Sequence, residues 1–105
     1  MQIVINHGFG GYGLSEFAAA ELGCDLSVSK GEEFRTSAAL VDLLEVHGST
    51  AVSGFCANLE VVEIPDCASD WDVYDNDGAE WVVYVVDGKL CDSRFPSRRR
   101  TTVRP

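Results

Sequence analysis

From Leu59 onward, the hydrophobic and polar positions fall into strand-length runs separated by turn residues. Leu59–Ile64 is rich in β-branched side chains and is stopped by Pro65 and Asp66. Asp72–Tyr74 leads through Asp75-Asn76-Asp77-Gly78 into Trp81–Val86. Two strand-forming runs around residues that tolerate positive φ predict a β-hairpin. Side chains alternate along a strand, so Trp81, Val83 and Val85 project to one face and Val82, Tyr84 and Val86 to the other. A strand apolar on both faces is central or covered. The rest of the chain is therefore expected to pack on this hairpin, with the Trp81 indole buried as a core anchor beside four valines.

Upstream, Ile3–Ile5 has the alternation of a first strand and runs into the glycine-rich stretch Gly8-Phe9-Gly10-Gly11-Tyr12-Gly13. A left-handed backbone is expected there, at Gly10 or Gly13. Ser15 can cap a helix over Glu16–Leu22, with Leu14, Phe17, Ala18 and Leu22 on one face and Gly23 as its stop. Leu26 and Val28 alternate with serines and permit a short edge strand, and Lys30-Gly31 reads as a turn. Thr36 or Ser37 caps a second helix over Ala38–His47, whose apolar stripe is Leu40, Leu43, Leu44 and His47, with Glu32 and Glu33 upstream. Gly48–Asn58 is a connection of small residues anchored by Phe55. Asp87-Gly88-Lys89 is a turn, and Leu90 starts a short last strand. The order β-α-(β)-α-β-β-β predicts an α+β fold: a mostly antiparallel three- to five-stranded sheet with two helices on one face. A single acidic domain is expected over residues 1–92, followed by an Arg-rich appendage over residues 93–105.

Charge changes this picture more than composition does. At 46 % hydrophobic and 24 % charged residues, the 105-residue chain has the make-up of one ordinary globular domain. Its net charge of −9 is unevenly spread. Residues 1–92 hold all 17 acids against Lys30, Arg35 and Lys89, which leaves −14, whereas residues 93–105 hold five arginines and no acid. A body so acidic repels nucleic acid and attracts basic surfaces. No direct nucleic-acid binding is expected, and the Arg98-Arg99-Arg100 run is read as neutralising the acidic body or a second copy of it. No apolar run reaches the roughly 20 residues of a membrane helix, and no basic-then-apolar leader precedes MQIVIN. The expected setting is cytoplasmic. Cys24, Cys56, Cys67 and Cys91 lack C-x-x-C spacing, so no zinc site is expected and they read as buried free thiols.

Several motifs carry candidate chemistry. Gly8–Gly13 satisfies G-x-G-x-x-G between a strand and a helix, the setting in which backbone amides cradle a phosphate, and Glu32 or Glu33 lies near the spacing of a ribose-binding acid. No buried second parallel strand follows, so the turn reads as a strand-to-helix connection. Asp75-x-Asp77-Gly78 has calcium-loop character, but alignment on the glycine puts Val73 and Tyr84 at ligand positions. His7 and His47 have no neighbouring acid or nucleophile in sequence, and no catalytic residue, cofactor or metal is expected. The densest feature is acidic. Asp66, Asp70, Asp72, Asp75, Asp77 and Glu80 surround Trp71 and Tyr74, an anionic surface with aromatic anchors of the kind that dominate protein interfaces.

Three segments taken together, MQIVINHGFGGYGLSEFA, RTSAALVDLLEVHG and LEVVEIPDCASDWDVYDNDGAEWVV, span roughly residues 1–86. Their combination resembles a family of small uncharacterised bacteriophage and prophage proteins. The loop around Cys67–Asp70, Asn76-Asp77 and the Arg-rich tail depart from that pattern. The resemblance implies a phage origin and a bacterial host cell, and supplies no catalytic residues. By analogy with small acidic phage proteins, the expectation is a non-enzymatic accessory protein that binds a host protein with a basic surface. An anti-CRISPR or other counter-defence inhibitor occluding a nucleic-acid site is its concrete form. The contact residues would be Asp66, Asp70, Trp71, Asp72, Tyr74, Asp75, Asp77 and Glu80. The alternatives are a nucleotide-sequestering protein using Gly8–Gly13 and a virion or assembly component.

Overall fold

In a computed structural model that describes residues 1–8 and 10–94, strand β1 (Gln2–Asn6) has no solvent face beyond its first residue. Ile3 and Ile5 point one way, into a cluster with Ile64, Val82 and Tyr84. Val4 points the other way, into a cluster with Tyr12, Leu14, Ala18, Leu40 and Leu59. β1 pairs antiparallel with β2 (Leu59–Glu63), with Ile3 opposite Val62 and Val4 opposite Val61. This ribbon is the middle layer. On one side lie the helices α1 (Glu16–Leu22), α2 (Ala38–His47) and the single turn α3 (Ser49–Val52). On the other lies a second antiparallel sheet, β3 (Asp70–Asn76), β4 (Ala79–Val86) and β5 (Lys89–Asp92), in the order β3-β4-β5. The class is α+β, and the five strands divide between a ribbon of two and a sheet of three.

The local chemistry explains most boundaries. Ser15 caps α1, its Oγ accepting the Ala18 amide at 3.1 Å, and Gly23 ends the helix at φ 70°. Leu40, Val41 and Leu44 are the buried face of α2. Asp77-Gly78 and Asp87-Gly88 each place two successive residues at positive φ (54° and 90°, 53° and 76°), as tight hairpin turns require. β4 is the central strand, and Val82 and Tyr84 are its core residues.

Several expectations are corrected. Trp81 is half-buried: it alternates with the core residue Val82, pairs with Tyr74, and borders an open cleft instead of the core. Phe55 anchors nothing and is 99 % exposed, and the connection it was to anchor contains α3. Leu26 and Val28 form no edge strand, because Asp25 turns the chain by accepting the Ser27 amide and hydroxyl. His47 is exposed and edge-on to Phe17, itself 41 % exposed, at 4.9 Å. Of the two glycines expected to offer a positive φ, Gly10 takes it and Gly13 does not, and Gly11 takes one as well. The four cysteines are free, but none is buried. Ser93 continues the β4–β5 ladder, exchanging hydrogen bonds with the Val82 amide and carbonyl at 2.9 Å. The Arg98-Arg99-Arg100 run lies outside the described residues.

Candidate protein interface

The hairpin's acids separate according to strand alternation and do not form one surface. Asp70, Asp72 and Tyr74 lie opposite Val85, Val83 and Trp81, on the face turned away from the ribbon. Trp71, Val73 and Asp75 lie opposite Tyr84, Val82 and Glu80, on the inward side, where Trp71 and Val73 pack against the Ile3 cluster. Asp77 occupies the turn at positive φ. Asp66 sits apart, 2.6 Å from the Met1 ammonium, whose hydrogen bond and charge hold the Asp66 carboxyl below the usual carboxylate range. Three of the eight expected contact residues therefore share the outer face.

Glu80 has a different job, and its case corrects the acidic surface most sharply. Its side chain is 8 % exposed and receives both arms of Arg35, Nη1 at 2.9 Å and Nη2 at 2.7 Å. Its Oε1 also accepts the Asn6 amide at 2.8 Å. Arg35 in turn donates to the Val4 carbonyl, its own carbonyl accepts the Val4 amide, and its guanidinium lies 4.2 Å from the Tyr12 ring centroid. The edge of β1 not used by β2 is thus closed by Arg35, through its side chain and its carbonyl, and by the Glu80 side chain, instead of a strand. Burial opposes charge on Arg35, and the hydrogen bonds and charge of Glu80 outweigh it. Burial likewise raises the Tyr12 phenol far above its ordinary range. Asn6, fully buried, joins this knot by donating to the Gly8 and Gly78 carbonyls and accepting the Asn58 amide.

The outer face is built on an apolar floor. Val83 and Val85 of β4 are only half-buried, Leu90 of β5 is 76 % exposed and Tyr74 is 51 % exposed. With Asp70 and Asp72 they line a shallow groove of about 170 Å³. The helices pack against β1 and β2 instead of covering this face. Tyr74 and Trp81 meet across the strands at 6.3 Å between ring centroids. The Arg94 guanidinium stands 3.9 Å over the Trp81 ring and is held by both carboxylate oxygens of Asp92, at 2.6–3.2 Å. Those hydrogen bonds hold the Asp92 carboxyl below the usual carboxylate range. Asp70 and Asp72 also turn back on their own strand, accepting the Trp71 and Val73 amides at 2.9 and 2.8 Å along the open edge of β3. Asp92 and Arg94 were absent from the expected contact set; the β5 register, which sequence does not reveal, brings them to this face.

The other candidates have structural occupations. In the glycine turn, a Cβ on Gly10 would meet the Cys56 carbonyl oxygen at 2.6 Å, and the Gly10 amide donates to the Asp77 carbonyl. Its Gly10 is thus packed between the Cys56 and Asp77 loops, and the helix that follows has seven residues. A cleft of about 450 Å³ opens along β4 where β5 stops, lined by Ile5, Val62 and Trp81, with His7 Nδ1 2.9 Å from a Glu60 carboxylate oxygen at its wall. Among the described residues no three of His, Cys, Asp and Glu converge as a metal would need, and no helix is long and apolar enough to cross a membrane. No family model, curated protein or solved structure matches the chain.

Proposed function

We propose that this chain is a non-enzymatic binding protein that docks a basic protein surface on the outer face of β3-β4-β5. The observation that carries the reading is a sheet face with an apolar floor of Val83, Val85 and Leu90, left open among the described residues and rimmed by Asp70 and Asp72. Exposed apolar patches with a polar rim mark interaction sites. The net −14 of residues 1–92 selects a cationic partner and speeds its approach. The resemblance to phage proteins directs that partner to a host protein. Occlusion of a nucleic-acid groove in a host defence complex is its concrete form, since carboxylates along a strand can stand where phosphates would bind.

Surface-plasmon kinetics at two salt concentrations, against a nucleic-acid-binding partner recovered from host lysate, tests the reading. Asp70→Asn with Asp72→Asn should slow association severalfold and leave the fold intact, because exposed charges contribute little to stability. Leu90→Ala should instead speed dissociation. Association that ignores salt and both variants overturns the proposal.

A further inference from the structure

The Arg94 guanidinium rests on the Trp81 ring at 3.9 Å and donates to both oxygens of Asp92, Nε to Oδ1 at 3.1 Å and Nη2 to Oδ2 at 2.6 Å, so an aromatic face and a bidentate carboxylate recognise one planar cation together. From this we infer that Trp81 and Asp92 form an arginine-binding subsite of the outer face, occupied by the chain's own Arg94 until a partner's arginine takes its place.

The chemistry favours arginine over lysine. A guanidinium can stack flat on an indole and still offer two parallel N–H groups to one carboxylate, which a compact ammonium cannot do. The location fits an exchangeable occupant. The Arg94 side chain is 49 % exposed and that of Asp92 25 %, so the pair sits at the surface and can open without unpacking the core. Its place is continuous with the proposed docking face, because Tyr74 touches Trp81 on one side and Asp92 lies opposite Val83 on the other. The acidic body supplies the attraction that brings a cationic side chain there. Arg94 then acts as a tethered competitor. A subsite open only part of the time binds more weakly in proportion to its open fraction, which would disfavour partners that offer scattered positive charge without a well-placed arginine.

The inference rests on the docking reading, and the test separates the two. The protein is the full chain with Arg98, Arg99 and Arg100 replaced by alanine, so that no other arginine of that run can refill the subsite. The probes are a capped tri-arginine peptide and a capped tri-lysine peptide of equal charge, titrated calorimetrically. Arg94→Ala should raise affinity for tri-arginine about tenfold, as expected if the subsite is open about a tenth of the time. Affinity for tri-lysine should change much less. Adding Asp92→Asn or Trp81→Ala should abolish the gain. Asp92→Asn keeps the test decisive if Trp81→Ala fails to fold by circular dichroism. Equal binding of the two peptides, or no gain on Arg94→Ala, overturns the arginine subsite while leaving a salt-sensitive acidic face standing. Binding of neither peptide removes both.

Discussion

Glu80→Ala would leave the Arg35 guanidinium buried beside Tyr12 and would free the Asn6 amide. Breaking one side of a buried pair typically costs about 3–5 kcal/mol, most of it the charge left behind, and urea denaturation should show a loss of that size. Two glycines offer a cleaner comparison. Gly78 and Gly88 occupy equivalent left-handed turn positions, at φ 90° and 76°. A Cβ on Gly88 meets open space, whereas one on Gly78 runs into the Gly10 and Gly11 amides. Gly88→Ala should cost about 1–2 kcal/mol, the backbone penalty alone, and Gly78→Ala distinctly more, again by denaturation. Asp92 gives a pH signature. Its folded carboxyl is depressed by Arg94, so the stability this pair contributes is fully present above the ordinary carboxylate value of about 3.9 and is lost as pH falls through the depressed value. Fluorescence of Trp81 in a Trp71→Phe background should change in that acid range and should not in the same protein carrying Asp92→Asn.

At the scale of elements, the edges are the telling feature. β1 ends its sheet laterally against Arg35 and Glu80, which satisfy backbone groups that a third strand would otherwise take. β3 is the outer strand of its sheet, and its Trp71 and Val73 amides are covered by the carboxylates of Asp70 and Asp72. An uncovered edge invites pairing with another chain. Asp70→Ala with Asp72→Ala should therefore produce concentration-dependent self-association by light scattering. The Asn pair keeps an acceptor oxygen at each position and should stay as wild type in that assay. The same two acids are thus expected to separate into an edge-guarding role, retained by Asn, and a charge role in partner association, lost with Asn.

For the molecule as a whole, the three layers decide which surface is left over. The ribbon of β1 and β2 is covered by helices on one side and by the larger sheet on the other, so the only broad sheet face left open among the described residues is the outer one of β3-β4-β5. That face carries acids on a body of net −14. Because exposed charges are screened over about 8 Å at physiological ionic strength, partner association should fall steeply with added salt while dissociation, set by the apolar floor, changes little. Stopped-flow or plasmon kinetics across a salt series would show this as a change confined to the on-rate.

The helices α1 and α2, the hairpin and its turns were legible in sequence because each depends on neighbours along the chain, whereas the single turn α3 fell in a stretch read as a connection. Ser15 caps the helix that starts at Glu16, Gly23 accepts a left-handed φ, and Asp77-Gly78 closes a tight turn. The α+β class followed from the order of those elements. The sorting of the acids was only half legible. A period of two sends Asp70 and Asp72 one way and Asp75 and Glu80 the other, but it does not say which way is inward. That depends on the ribbon packing against Val82 and Tyr84, which left Trp81 outside and drew Glu80 in to meet Arg35, 45 positions away. The closure of the β1 edge by Arg35 and Glu80 and the seat of Arg94 on Trp81 are likewise contacts between separate parts of the chain. Local propensity carries no information about such contacts, because their free energy exists only once the layers have come together.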